Sequence, residues 1–249
     1  MCGSAHTKTC LDVKIRDVVL IRYTFIKSLS NLRAGMRLPP CFRRTVILLR
    51  LKQATQTRHA ALESRSILLD PSLSCTAYRN CLRRFFGYYA PLESLLLGAN
   101  RWPDSGPART AWQKAPLLAQ DLMSLGDTPD QLEQAPKCQS LPDLSTTARV
   151  FGCLYVLEGA TLGGQIVTRH LADTLAVTAE SGGAFFRGYG EHTGSRWKAF
   201  GTQLTAFASR SGSDDEIVAS ANETFETLDR WLYPVQSSII SNHDIARTH

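Results

Sequence analysis

Gly159, Gly163 and Gly164 place three glycines in six consecutive positions of a stretch whose apolar residues, Val150, Leu154, Leu157 and Ile166, recur at helical spacing. Each glycine in a helix interior costs about 1 kcal/mol relative to alanine. Such a cluster is therefore a poor way to build an ordinary helix unless something must come close to the backbone. Gly159 and Gly163 are four apart and share one face, which leaves a strip of main chain without side chains. Two partners can use such a strip: a second helix packed closely against it, or a flat ligand. A phosphate loop is excluded, because no strand precedes the glycines and no Lys-Ser/Thr pair follows them.

The rest of the chain is helical in pattern, and no six-residue stretch alternates convincingly at period two. Ile47, Leu51, Ala54, Leu62 and Ile67 predict a helix from Arg44 to about Ser66. Tyr78, Leu82, Phe85, Tyr89, Leu92 and Leu96 predict another over Thr76 to Leu97, with a kink at Pro91. A third is expected over Pro107 to Leu125, bent at Pro116. Prolines 129, 136 and 142 make residues 126–144 mainly connection with one short helix. Ser145 is the expected N-cap of the glycine-bearing helix, which ends near Leu175. A Gly-rich turn at 182–190 leads to a helix over Thr193 to Ser209. Ser213-Asp214-Asp215-Glu216 matches a capping box that opens a last helix carrying Ile217, Phe225, Leu228 and Leu232. The expectation is an all-α single domain, residues 46–240, preceded by a basic extension over 1–45 and followed by a tail over 241–249.

The formal charge of +6 on 249 residues does not point to nucleic acid. Residues 1–50 hold ten of the 28 Lys and Arg but only Asp12 and Asp17 of the 22 acids, which leaves 18 basic against 20 acidic residues in the remainder. A nucleic-acid groove needs clustered positive charge on the folded part. The extension is Arg-rich without the apolar core of a secretory signal, and reads as an unstructured leader or an organelle-targeting segment. Seven cysteines show neither CxxC nor regular spacing, which argues against a zinc ribbon or a disulfide framework and for a reducing compartment. Val18 to Leu29 is broken by Arg22 and Lys27, so no membrane span is expected. A cytoplasmic protein follows, with organelle targeting as the alternative.

His59 and Glu63 are also four apart. On one helix face Glu63 can accept a hydrogen bond from one ring nitrogen and leave the other to bind a metal. A solvated surface pair has the same spacing.

Both segments together, about 100 residues apart and in this order, resemble the heme oxygenase family, the all-helical enzymes that open heme to biliverdin. Leu51 to His59 is similar to the family's proximal helix. Tyr155-Val156-Leu157-Glu158-Gly159-Ala160-Thr161-Leu162-Gly163-Gly164 is similar to its distal helix, most of all in the form found beside bacteriophytochromes. Phe185 to Gly190 and Trp197 to Phe200 extend the likeness over roughly residues 49–235.

The resemblance implies that heme lies between a proximal and a kinked distal helix as substrate and cofactor, with dioxygen as co-substrate, and that carbon monoxide and ferrous iron are released. His59 is the implied axial iron ligand, oriented by Glu63. Lys52 meets one propionate and Arg196 or Lys198 the other. Thr55 and Leu62 line the proximal face, Gly159 and Gly163 form the catalytic distal face, and Phe225 is pocket wall. Many relatives carry an Asp just after the first glycine; this chain has Ala160. Proton delivery then falls to waters held by backbone or to a group such as Thr161, with Glu158 expected in a structural salt bridge. Electrons must come from a ferredoxin or a flavoprotein reductase, since no nucleotide-binding motif is present. A bacteriophytochrome is the implied acceptor of biliverdin. A non-catalytic heme-binding protein on the same bundle, or an interaction module whose glycines serve packing alone, would share much of this pattern.

Overall fold

A computed structural model describes residues 46–98, Trp102 and residues 113–234. The basic extension, the C-terminal tail and the expected start of the third helix lie outside these residues. Within them all regular structure is helical, as expected: α1 (Val46–Arg65), α2 (Cys75–Gly98), α3 (Ala115–Ser124), α4 (Pro129–Gln134), α5 (Thr147–Leu175), α6 (Ala184–Arg187), α7 (Thr193–Ser211) and α8 (Asp214–Leu232).

The long helices fall where apolar residues recur every three to four positions, because that spacing gives each one a face to bury. Tyr78, Leu82, Leu92 and Leu96 of α2, Phe151 and Leu154 of α5, and Ile217 of α8 are fully enclosed. Ile67 does not join them. It lies beyond the end of α1 and is exposed. Pro91 sits inside α2, which continues through it. Pro116 does not bend α3 but occupies its first turn, where a missing N–H costs nothing because no intrahelical partner exists there.

Helix ends depart from the sequence reading by side-chain reach. Thr146, not Ser145, caps α5, accepting the backbone N–H of Arg149 at 3.2 Å. Ser213 makes no side-chain cap, since its φ of −92° and ψ of 29° are not the extended geometry that a cap requires. Glu216 instead accepts the Thr146 hydroxyl at 2.7 Å, so the acids in the first turn of α8 serve the dipole and the neighbouring helix. The turn around Gly182 contains more structure than expected. A π-type turn over Ala179–Gly183 runs into α6, whose first N–H groups, from Ala184 and Phe185, donate to the buried Asp121 carboxylate of α3 at 2.8 Å each. A cap supplied from another helix leaves no local mark in the sequence.

The most extensive helix pair is α5 on α8. Gly152 makes it possible: a Cβ there would stand 2.3 Å from the carbonyl oxygen of Ile217. The Ser220 hydroxyl donates across the same contact to the carbonyl of Arg149 at 2.6 Å. α1 lies on α8 as well, and the two run parallel. Arg50 with Asp215, Arg58 with Glu226 and Arg65 with Asp229 step along both helices in the same direction. Exposed pairs of this kind contribute about 0–1 kcal/mol each and act mainly to fix register.

The expectation that nothing is long and apolar enough to cross a membrane is amended by α5, which meets that test on length and composition. More than half of its apolar stretch is buried inside the bundle. A helix packed on several sides must be apolar nearly all round, and this one is the core of the fold.

Candidate functional site

α1 and α5 both pack on α8 and on α7 rather than on each other. α1 and α5 thus flank the same pair of helices. Tyr155 of α5 lies near Thr55 of α1, whose own hydroxyl donates to the carbonyl of Leu51 at 2.8 Å. Burial raises the Tyr155 phenol above its ordinary range. Thr55 is buried. Trp197 of α7 packs against Tyr155 at a tilt of 49°, ring centres 5.7 Å apart.

His59 stands on the α1 side. Its side chain is 47% exposed, and Nδ1 lies 3.3 Å from Oε2 of Glu63. The imidazole packs edge-on against Phe225 of α8 with ring centres 5.8 Å apart. Nδ1 is thereby occupied, and Nε2 is the ring nitrogen available to a metal. Leu62 is half-buried against the core.

The four glycines of α5 divide by what stands opposite each. A methyl group added at Gly163 would meet nothing within 4 Å, and at Gly159 only the Trp197 ring at 3.8 Å. At Gly164 it would stand 2.5 Å from the carbonyl oxygen of Phe186. Gly164 is thus a packing glycine for α6, not a device for bending the helix. Close packing explains Gly152 and Gly164. It leaves Gly163 unexplained, and Gly163 is the residue that faces open space.

Lys52 and Lys198 are exposed. Arg196 is half-buried and lies with its guanidinium 4.0 Å from the centre of the Tyr189 ring. Of the two cations proposed for a second carboxylate contact, Lys198 is the one at the surface and Arg196 the one turned inward.

Glu158, one residue before the bare strip, is 4% exposed. Its Oε1 accepts the Tyr189 hydroxyl at 2.8 Å. Burial pushes its carboxyl above the ordinary range, opposed by that hydrogen bond and by the charges of Lys114 and Arg196. Lys114 is equally buried, with Nζ 3.5 Å from the centre of the Tyr189 ring. Desolvation pushes its ammonium down to about 8, with Glu158 pulling the other way. Thr161 turns its hydroxyl back onto the carbonyl of Glu158 at 2.6 Å. Lys114 and Tyr189 were missed in the sequence. The available signal was Glu158 itself, since a carboxylate in an apolar helix requires a buried partner.

The residues fit a planar macrocycle bearing a metal. A partly exposed imidazole with one nitrogen already engaged stands on α1, and a face left open at Gly163 lies on α5. The bundle thus carries an imidazole on α1 and an open glycine face on α5.

The chain belongs to the heme oxygenase family, whose sequence profile matches residues 46–233. Among solved structures it is similar to the heme oxygenase of Neisseria meningitidis, studied in NO- and CO-bound forms (20% identity, TM-score 0.63, covering 77% of this chain and 94% of that one). It is also similar to the heme oxygenase of Leptospira interrogans (17% identity, TM-score 0.61, 76% and 99%) and to heme oxygenase 2 of Chlamydomonas reinhardtii without heme (20%, 0.60, 75% and 95%). At these identities the likeness shows the fold. Comparison with curated proteins gives no match.

Proposed function

We propose that the protein binds heme in the cleft between α1 and α5 and cleaves it oxidatively to biliverdin, releasing carbon monoxide and ferrous iron, with dioxygen as co-substrate and electrons from a ferredoxin or a flavoprotein reductase. The observation that carries the reading is the open space at Gly163 of α5, taken together with a His59 on α1 already oriented by Glu63. Bound heme supplies the iron at which dioxygen is activated, so it is substrate and cofactor at once.

The chain's own residues position and exclude. Nε2 of His59 would hold the heme iron, with the ring oriented by the Glu63 carboxylate on Nδ1. Gly159 and Gly163 would leave room for bound heme beside the main chain, where a larger side chain would stand in the way. Lys52 and Lys198 are the cations for the two propionates, because a charge-assisted bond to each carboxylate fixes the rotation of the macrocycle. Leu62 and Phe225 wall the proximal side, and Tyr155 with Trp197 closes the floor. A cytoplasmic setting with a bacteriophytochrome as acceptor of the product completes the proposal. It is supported by the four free cysteines among the described residues and by the likeness of the Tyr155 to Gly164 segment.

The test is turnover of hemin with ascorbate or a reductase system. Loss of the Soret band with growth of biliverdin absorbance is the expected outcome. A stable Soret band under reductant would instead mark a heme-binding protein without the activity, and no Soret band at all a bundle without a heme site.

A further inference from the structure

Gly159 and Gly163 share one face of α5, yet that face is not open along its whole length. A Cβ at Gly163 would meet nothing within 4 Å, whereas at Gly159 it would lie 3.8 Å from both Cζ3 and Cη2 of Trp197. That is ordinary van der Waals contact, so the edge of the indole marks one end of the strip and the open part lies toward Gly163. An added methyl group clashes at neither position, and packing within the bundle therefore requires glycine at neither.

The level of this closure follows from the direction of the helices. α1 runs parallel to α8, and so does α5: Thr146 with Glu216 and Arg149 with Glu223 step along α5 and α8 in the same direction. α1 and α5 thus run the same way. Tyr155 lies near Thr55, and Gly159 and His59 each follow that pair by one helical turn. Trp197 belongs to a face of α7 that meets both helices. Its ring packs against Tyr155 with centres 5.7 Å apart and against the buried Phe200 at 5.8 Å. One turn further along α7, a Cβ at Gly201 would stand 3.1 Å from Cδ1 of Leu48 in α1. Swinging the indole away would forfeit the contacts with Tyr155 and Phe200. It is nonetheless only half-buried, so part of this aromatic surface remains uncovered.

Resting on the heme reading above, we propose that Trp197 is a specificity-determining residue: its indole edge is the stop against which the bound macrocycle comes to rest. The stop sets how far the ring lies along α5, and hence which of its four bridging carbons stands beside Gly163. Cations on the propionates fix the rotation of the ring, and Trp197 fixes its translation. The contact is of a kind that aromatic rings favour, an edge against a second π-system. The bridging carbons of heme are alike in chemistry and differ in their place around the ring, so placement alone can choose among them. A smaller side chain at position 197 clears the Gly159 end of the strip, lets the ring move along it and blurs that choice.

Two readouts test it. In the hemin-reconstituted protein reduced under carbon monoxide, 1H NMR should show nuclear Overhauser contacts between indole ring protons of Trp197 and a heme substituent, and these should vanish in Trp197→Leu. In turnover, chromatography of the product should show the ratio of major to minor biliverdin isomer falling about tenfold in Trp197→Leu and less in Trp197→Phe, with the Soret band of bound heme retained. Phe200→Leu loosens the same aromatic cluster from its buried side. It should lower the urea midpoint and leave the isomer ratio as in the wild type, a separation that a merely structural role of Trp197 would not give. Trp197→Phe, which keeps an aromatic ring against Tyr155, stands in if Trp197→Leu fails to fold. Absence of the Trp197 contacts in a protein that holds heme would overturn the stop and leave the heme reading standing. So would an isomer ratio unchanged by substitution of Trp197, or one altered as much in Phe200→Leu. Where heme is held but not turned over, the NMR contacts alone decide. Absence of a Soret band in the wild-type protein would overturn the heme reading and the stop with it.

Discussion

Nδ1 of His59 lies 3.3 Å from Oε2 of Glu63, one helical turn further along α1. Both side chains are about half exposed or more, so the contact adds little stability on its own. What it decides is the ring orientation and which nitrogen remains free. His59→Ala should therefore leave the helical circular dichroism unchanged and abolish turnover. Glu63→Ala should keep heme binding but weaken it about 10- to 100-fold, as read by Soret titration. An unchanged biliverdin yield in His59→Ala would remove that residue from the site.

Gly163 and Gly164 should respond to alanine with opposite signs. An added Cβ at Gly163 meets open space, so Gly163→Ala should stabilise the apoprotein by about 0.5–1 kcal/mol through helix propensity. At Gly164 it would collide with the Phe186 carbonyl, and Gly164→Ala should cost about 1–3 kcal/mol. Urea denaturation distinguishes them. Gly163→Leu should leave the fold intact and slow carbon monoxide binding to the ferrous heme complex.

Phe151 is fully buried where α5 meets α7, 4.8 Å from Phe207 and 6.2 Å from Phe200 between ring centres. Phe151→Ala should destabilise the bundle by about 3–5 kcal/mol. The midpoint of urea unfolding measures this, and a change under 1 kcal/mol would contradict the packing described.

The alkaline limb of stability has a defined sign. Burial raises the thiols of Cys81 and Cys153 from 9.0 to about 12. Their contribution is full below pH 9 and is lost as pH rises toward 12, because the unfolded thiols ionise first. Lys114 acts oppositely, since its folded value of about 8 lies below its ordinary 10.5 and its penalty is relieved between those values. Melting temperature should fall above pH 9, and more steeply in Lys114→Met. Calorimetry from pH 8 to 11 reads both effects.

The helices were legible because their evidence is local. A stripe of apolar residues at three-to-four spacing, as in Tyr78 to Leu96, has few ways to be buried other than as one face of a helix. The His59 and Glu63 pair was legible for the same reason, being a matter of one turn. The cap of α8 was misread and that of α6 overlooked, because Glu216 and Asp121 serve partners in other helices.

An all-helical bundle, the spacing of an imidazole and a carboxylate, and glycines where glycine is costly can all be read from residue order. What each glycine is for comes from the packing around it. Whether a missing Cβ serves packing or leaves room depends on the atoms opposite, which for Gly152 belong to α8 and for Gly164 to α6, and which at Gly163 are absent within 4 Å. The burial of Glu158 beside Tyr189 and Lys114 was settled in the same way, because a charge finds its partner across the fold and not along the chain.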